Sequence, residues 1–494
     1  MQGSIWRIGA LLPAAGIAPL GAHVLMIGTD GRIAAVTPCD PGELTEDEAA
    51  LVAMPALANA HDHGRGLATL ACGVQDAPLE HWMVDLSRQP RVDPYDTAVL
   101  ALARLAGSGV AAVYHCHNTQ SSAALLDEAS AVSQAARDTG VRVAFGWPFF
   151  DANPLVYGDH AELASFFPPE RRTAIATMDQ ALRPCATNMA LFEQAAALEH
   201  ETFALHYHPV APQWARPDTL AAIAAASART GRRVHTHLLE TRLQREWADA
   251  CFPQGFVPWL DEIGLLSSRL TVAHGVWLRP DELALLAARG VTLSVNISSN
   301  LRLRSGLPAL GDIAACGVGL GLGLDGMALD DDADMLRELR LANLLMTQPR
   351  AGENGPVSLP DPAPALHAAW VGGRAAILGT ADGGGQIAPG APADVLLLDR
   401  RRIAWDWIDE GLPTDPAWLL ARATRADVAH LLVAGRPVVR HGRVVGVDEA
   451  AIAARLVAQA RATRAASPPD ANAITQAHAA THAFYASGCH CRQP

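Results

Sequence analysis

Residues 59–63 read Asn59-Ala60-His61-Asp62-His63, and in extended backbone side chains two apart share a face, so both imidazoles can meet one metal ion. Two histidines so spaced are also at home in a core or on a surface, and the pair alone decides little. Further along stand Val234-His235-Thr236-His237-Leu238-Leu239-Glu240, Val272-Ala273-His274-Gly275 and Gly323-Leu324-Asp325-Gly326. Each places a metal-ligand or acid–base residue where an apolar run gives way to a loop. Their joint recurrence points to a metal-assisted centre rather than to scattered polar residues. His115 with His117 and His206 with His208 are further pairs, open to a second ion, to substrate or to a structural role.

Composition narrows the chemistry. The chain has 494 residues, 50% of them hydrophobic, enough to bury a large core. Its net charge of −13 argues against nucleic acid or an anionic membrane as partner and leaves a small molecule as the expected one. All 38 cationic side chains are arginine, so Schiff-base chemistry, a phosphate-loop lysine and a carbamylated lysine bridging two metals are excluded. Eight scattered cysteines read as reduced thiols of a cytoplasmic protein. The apolar run Gly9–Gly28 is broken by Pro13 and Pro19 and reads as β-structure, not as a signal or membrane segment.

Such residues need a frame. Between about 52 and 346, short apolar runs alternate with alanine- and leucine-rich stretches, the pattern of βα units on a parallel sheet. Eight runs stand out: Leu51–Ala60, Gly109–His117, Val141–Pro148, Thr202–His208, Arg233–Leu238, Leu270–Gly275, Val291–Asn296 and Val318–Asp325. Helices are expected after them, among them Asp96–Gly107, Asn188–His200, Pro217–Gly231 and Pro280–Gly290, several bounded by Asp or Pro and by Gly. The fold class is therefore α/β, a (β/α)8 TIM barrel whose chemistry sits at the C-terminal strand ends. The flanks carry hairpin texture, as in Leu25–Gly28 and Arg32–Val36 around Thr29-Asp30-Gly31, and are expected to join in a small β-sandwich. The expected division is 1–54 and 383–446 for the sandwich, 55–382 for the barrel, and 447–494 for a C-terminal helix and tail. The tail ends Cys489-His490-Cys491, read as a disordered end rather than a metal site.

Nearly the whole chain resembles the amidohydrolase superfamily, in particular its cytosine deaminase and triazine hydrolase branch. The resemblance rests on Pro55 to His63, His237 with Glu240, Ala273-His274-Gly275, Asn296 to Gly306, Gly323 to Gly326, and Gly385 to Val395. It implies one divalent ion per subunit, Zn2+ or Fe2+, held by His61, His63, His237 and Asp325 with water at an open position. Asp325 then receives the water proton, Glu240 relays a proton to a ring nitrogen, and His274 orients the water and stabilises developing oxygen charge. The reaction implied is hydrolytic deamination of an amino-substituted pyrimidine, purine, pterin or triazine. The alternatives are loss of another group (amine, chloride or sulfide) from a related ring at the same metal site, opening of a cyclic amide, or a non-catalytic binding protein on a retained barrel. A homodimer or higher homo-oligomer is expected.

Three departures bear on the substrate. Val210, in His208-Pro209-Val210-Ala211-Pro212, stands where many relatives carry histidine; Asn296-Ile297 replaces Asn-Pro; and Arg65 sits in a glycine-rich His63-Gly64-Arg65-Gly66. Arg65 can pair with a substrate carboxylate or exocyclic oxygen, or with a loop acid. Trp82, Trp147 and Trp214 can stack on a ring or pack. Arg65, Trp82, His117, His208, Gln213 and Asn300 are the candidate substrate contacts.

Overall fold

A computed structural model describes residues 3–119, 121–348 and 361–492. Eight parallel strands follow one another around a barrel: β1 (Leu57–Asp62), β2 (Val110–Cys116), β3 (Arg142–Phe149), β4 (Phe203–Pro209), β5 (Val234–Leu238), β6 (Leu270–His274), β7 (Thr292–Val295) and β8 (Gly319–Leu322). The ring closes between β8 and β1. There the Asp325 N–H donates to the His61 carbonyl at 2.9 Å, and the Leu324 N–H donates to Asn59 Oδ1 at 3.1 Å.

The helices start where their chemistry dictates. Pro94–Gly107 opens with proline at its first position and with Asp93 accepting from the Asp96 N–H, and it buries Val99, Leu102 and Leu105. Pro217–Thr230 and Pro280–Ala288 open on proline in the same way. The helix expected over Asn188–His200 instead runs Cys185–Ala195, followed by a short turn at Ala196–Leu198. Asn188 does not cap it, because its side chain is spent on Trp147 Nε1 (3.0 Å) and the Pro148 carbonyl (2.8 Å).

The run Leu51–Ala60 is two strands. Leu51–Pro55 pairs antiparallel with Val395–Asp399, whereas Leu57 begins β1 beside β2. Between them the Ala56 N–H donates to the Asp394 carbonyl at 3.0 Å. Both flanks thus share a six-stranded sheet ordered Arg443–Val444, Arg436–Arg440, Val428–Val433, Val395–Asp399, Leu51–Pro55, Ala10–Leu11. A three-stranded sheet of Ser4–Ile8, His23–Ile27 and Ile33–Pro38 faces it, and Leu25, Ile27 and Ile33 bury against Ala53, Val395 and Leu397. Asp394 fastens this sandwich to the barrel, accepting from Arg142 of β3, from Arg374 and from the Ala434 N–H.

The tail is ordered, contrary to the sequence expectation. Helix Glu449–Ala466 lies on Pro94–Gly107 through Arg455 and Asp96 (2.6 Å). A second helix, Ala471–Ala486, packs on Leu79–Asp85, buries Phe484 against Val156, Leu163 and Phe167, and ends in a turn at Cys489–Cys491. The apolar side chains Ile474, Ala480 and Phe484 supply the burial that a free end would lack. Among the described residues no helix is long and apolar enough to cross a membrane.

Candidate active site

At the C-terminal mouth, β1 delivers His61 and the adjoining His63, β5 delivers His237, β6 ends on His274, and Asp325 follows β8. Ligand atoms of His61, His237, His274 and Asp325 all lie within 4.8 Å of one another. Asp325 Oδ1 stands 3.1 Å from His61 Nε2 and 2.9 Å from His63 Nε2. His63 is therefore part of the same constellation.

The backbone has been bent to aim two of these groups. His274 and Asp325 have φ of 70° and 58°, left-handed values that cost a non-glycine residue roughly 1–3 kcal/mol. Gly64, with φ of 60°, answers a different need. A Cβ there would come within 2.2 Å of the His115 ring, so only glycine lets the chain turn directly after His63.

Two rings are fixed in one tautomer by carbonyls. His63 Nδ1–H donates to the Cys116 carbonyl at 3.0 Å, and His237 Nδ1–H donates to the Val210 carbonyl at 2.5 Å. Each leaves its Nε2 lone pair turned inward, the arrangement of a metal-binding histidine with its outer nitrogen anchored. His61 Nε2 and Asp325 Oδ1 are buried and, although 3.1 Å apart, are not aligned for a hydrogen bond. Burial pushes the His61 imidazole down to about 4, so it stays neutral near pH 7. Inward-facing ring nitrogens around one carboxylate are a donor set that fits a divalent cation.

Glu240, 3% exposed, lies with Oε2 at 3.7 Å from His274 Nε2 and with Oε1 accepting from Ser305 Oγ at 3.2 Å. Burial raises its carboxyl to about 7, the His274 charge working against that rise. A carboxyl so placed can carry a proton near neutrality. Asn300 Oδ1 accepts from His274 Nδ1 at 3.0 Å, so Asn300 backs the imidazole.

The other expected contacts are distributed unevenly. Arg65 donates to the Asp325 carbonyl at 2.9 Å and lies over the Trp82 ring at 5.2 Å, with no loop acid as hydrogen-bond partner among the described residues. His117 Nε2 is 2.7 Å from Glu128 Oε2. With His63, Arg65 and His115 these two line a cavity of about 130 Å3 that does not reach Glu240. His208 is buried, its Nδ1–H donating to the His235 carbonyl at 2.9 Å. Gln213 is buried, and its carbonyl accepts from Asn153. His206 lies deeper, beside Tyr114. Neither His206 nor His208 joins a group of three possible ligands among the described residues. Trp147 is fully buried against Phe192 and Asn188, away from the mouth, and Trp214 packs on Phe150 and Tyr157.

Several neighbours carried no motif. His235 reaches His61, Ser299 Oγ donates to Asp325 Oδ2 at 2.5 Å, and Glu80 accepts from Thr241 at 2.6 Å and from Tyr157 at 3.2 Å. For His235 a signal existed, since it stands two residues before His237 and so faces the same interior. Glu80 and Ser299 offered none.

A family model described as the amidohydrolase family matches residues 52–438. The 5'-deoxyadenosine deaminase of Methanothermobacter thermautotrophicus is 27% identical over 437 residues, covering 85% of this chain and 90% of that protein. An adenosine deaminase from Xanthomonas campestris, solved with bound zinc, superimposes with a TM-score of 0.72 at 25% identity, over 94% of this chain and 98% of that one. The atrazine chlorohydrolase TrzN from Arthrobacter aurescens, complexed with zinc, shares the fold with a TM-score of 0.73 at 21% identity, over 92% and 99%.

Proposed function

The chain belongs to the amidohydrolase family, and from that premise we propose that it is a metal-dependent aminohydrolase that releases ammonia from an amino-substituted N-heterocycle. The observation that carries this reading is the buried Glu240 carboxyl beside His274 and a five-residue constellation of four imidazoles and one carboxylate. Zinc is the ion we favour over iron, on its donor set and on the zinc in the Xanthomonas deaminase. Aminopurine nucleosides come first among substrates, because both deaminases above act on adenosine-type compounds by name. Reduced thiols support a cytoplasmic location, all eight cysteines being free.

His61, His63, His237 and Asp325 would hold the ion. When bound, a divalent zinc ion supplies the Lewis acidity that makes water nucleophilic at neutral pH. Asp325 takes the proton that water loses. Glu240, in its acid form, gives a proton to the ring nitrogen next to the attacked carbon, which makes that carbon electrophilic. Asn300 holds His274 by Nδ1, so that Nε2 faces the centre and stabilises the oxygen as its charge grows. The carbon–nitrogen bond then breaks as Asp325 passes the water's first proton to the amino group, which leaves as ammonia; the remaining hydroxyl proton returns to Glu240 as the carbonyl forms, and the ring nitrogen keeps the proton it received. Arg65 and His117 line the adjoining cavity, and they, with Trp82 under the Arg65 guanidinium and the buried His208 and Gln213, are the residues we assign to substrate.

Elemental analysis together with an ammonia-release screen of aminated purines, pyrimidines, pterins and triazines tests the reading. About one barrel-bound zinc per chain with ammonia from one ring class is the expected result. Metal without ammonia from any ring would transfer the site to another leaving group.

A further inference from the structure

Outside the barrel mouth, one more group of ligand-type side chains converges among the described residues. Glu246, His490 and Cys491 present ligand atoms within 4.8 Å of one another. Glu246 lies on helix Arg242–Cys251, which follows directly from Glu240, and the other two end the tail, whose last turn packs on that helix. His490 Nε2 is 3.0 Å from Glu246 Oε2, and His490 is 3% exposed with Nδ1 lacking any partner. Arg242 engages the opposite oxygen, Oε1, which leaves Oε2 turned to the imidazole. Two ligands each about 2.0–2.2 Å from a tetrahedral ion stand roughly 3.3 Å apart, close to the separation seen. Cys491 is exposed and free, and Cys251, at the end of the same helix, lies within its electrostatic reach.

We propose that Glu246, His490 and Cys491 form a second zinc site, separate from the barrel centre, that clamps the C-terminal tail to the helix behind Glu240. Mixed carboxylate, imidazole and thiolate donors suit zinc, and water fills the remaining corner. On binding, Cys491 gives up its thiol proton, and the ion replaces the proton shared by His490 and Glu246. The clamp has a route inward. Tyr485 of the tail accepts from the Tyr157 N–H at 3.2 Å, Gln244 Nε2 donates to Tyr157 Oη at 3.2 Å, and Gln244 Oε1 accepts from the Glu240 N–H at 2.7 Å. Fixing the tail therefore stiffens the support of Glu240.

The test is zinc stoichiometry on full-length protein stripped with chelator, reloaded with excess zinc and passed through a desalting column. Wild type is expected to retain two zinc ions per chain, and Cys491→Ser or the His490→Ala/Cys491→Ser pair one. His237→Ala should lose the barrel ion and keep the tail ion, so the two sites fail separately. Cobalt-loaded wild type should show a thiolate-to-metal charge-transfer absorption that Cys491→Ser lacks, and since Cys491 is exposed, its serine variant should fold. One zinc in wild type that His237→Ala abolishes, two in the double variant, or a Cys251–Cys491 disulfide by mass in purified protein would each overturn the proposal.

Discussion

The Nε2 of His235 lies 2.9 Å from the Nδ1 of His61, with ring planes 5° apart and centroids 5.1 Å apart, so the two imidazoles meet edge to edge. Tyr114 stacks on His235 at 3.8 Å and holds it there. His235 is thus the outer anchor of His61, as the carbonyls of Cys116 and Val210 are for His63 and His237. Replacing it by alanine should lower zinc affinity about 10–100-fold, the usual cost of losing an outer partner. Competition with a chelator measures this, and unchanged affinity would remove the anchoring role.

His237→Ala should strip the barrel ion, because the inward Nε2 cannot be replaced by any neighbour already committed. Glu240→Gln should keep that ion and lose about 10²–10⁴ of kcat, the range for a positioned proton carrier. Metal content and ammonia release, measured on both variants, separate binding from proton transfer. Wild-type turnover in Glu240→Gln would sink the relay.

Gly323→Ala offers a steric test. A Cβ at this position would lie 2.3 Å from Asn296 Oδ1 and 2.8 Å from the His61 carbonyl. Overpacking of this kind costs about 1–3 kcal/mol, and here the displaced group carries a ligand. The variant should fold with a lower melting temperature and bind zinc more weakly. Wild-type values for both would show that β8 and β1 can part without cost.

Asp394 supplies a pH-dependent prediction. Burial would raise its carboxyl, but Arg142 and Arg374 outweigh that and hold it below the ordinary value. A depressed folded pKa means the stabilisation is fully present above the unfolded value of about 3.9 and lost as pH falls through the lower folded one. Asp394→Asn leaves two arginines facing a neutral amide and should cost about 3–5 kcal/mol at pH 7. The gap in melting temperature between wild type and variant should narrow below about pH 4. A constant gap down to pH 3 would mean that Asp394 is not charged in the folded protein.

Much of the barrel mouth was legible because its residues end strands, and strand ends announce themselves as apolar runs giving way to His, Asp or Glu. His61, His237, His274 and Asp325 were found that way, and the structure brings them together. The join at Ala56 was not legible, since Leu51–Pro55 and Leu57–Asp62 are both apolar and both buried, with nothing in residue type to say that they serve different sheets. The order of the chain end is not legible, because alanine-rich amphipathic sequence can be either free or docked, and only the apolar surface that Val156, Leu163 and Phe167 offer to Ala480 and Phe484 decides. The spacing of His235 from His237 gives its face, and Asn300 is legible as a candidate contact, but that they anchor His61 and His274 respectively depends on contacts between strands that linear spacing does not contain.

The split at Ala56 also orders events in time. Leu51–Pro55 pairs inside the sandwich with Val395–Asp399, more than three hundred residues later, so that ladder cannot form until most of the chain has left the ribosome. Closing so long a loop is slow, whereas neighbouring βα units can dock as they emerge. The strand that carries His61 and leads into His63 is the first barrel strand made and the last to be secured at its upstream end. A nascent barrel therefore passes through an interval in which its later ligands are in place and its earliest are not, and metal capture should coincide with release of the C-terminal third of the polypeptide.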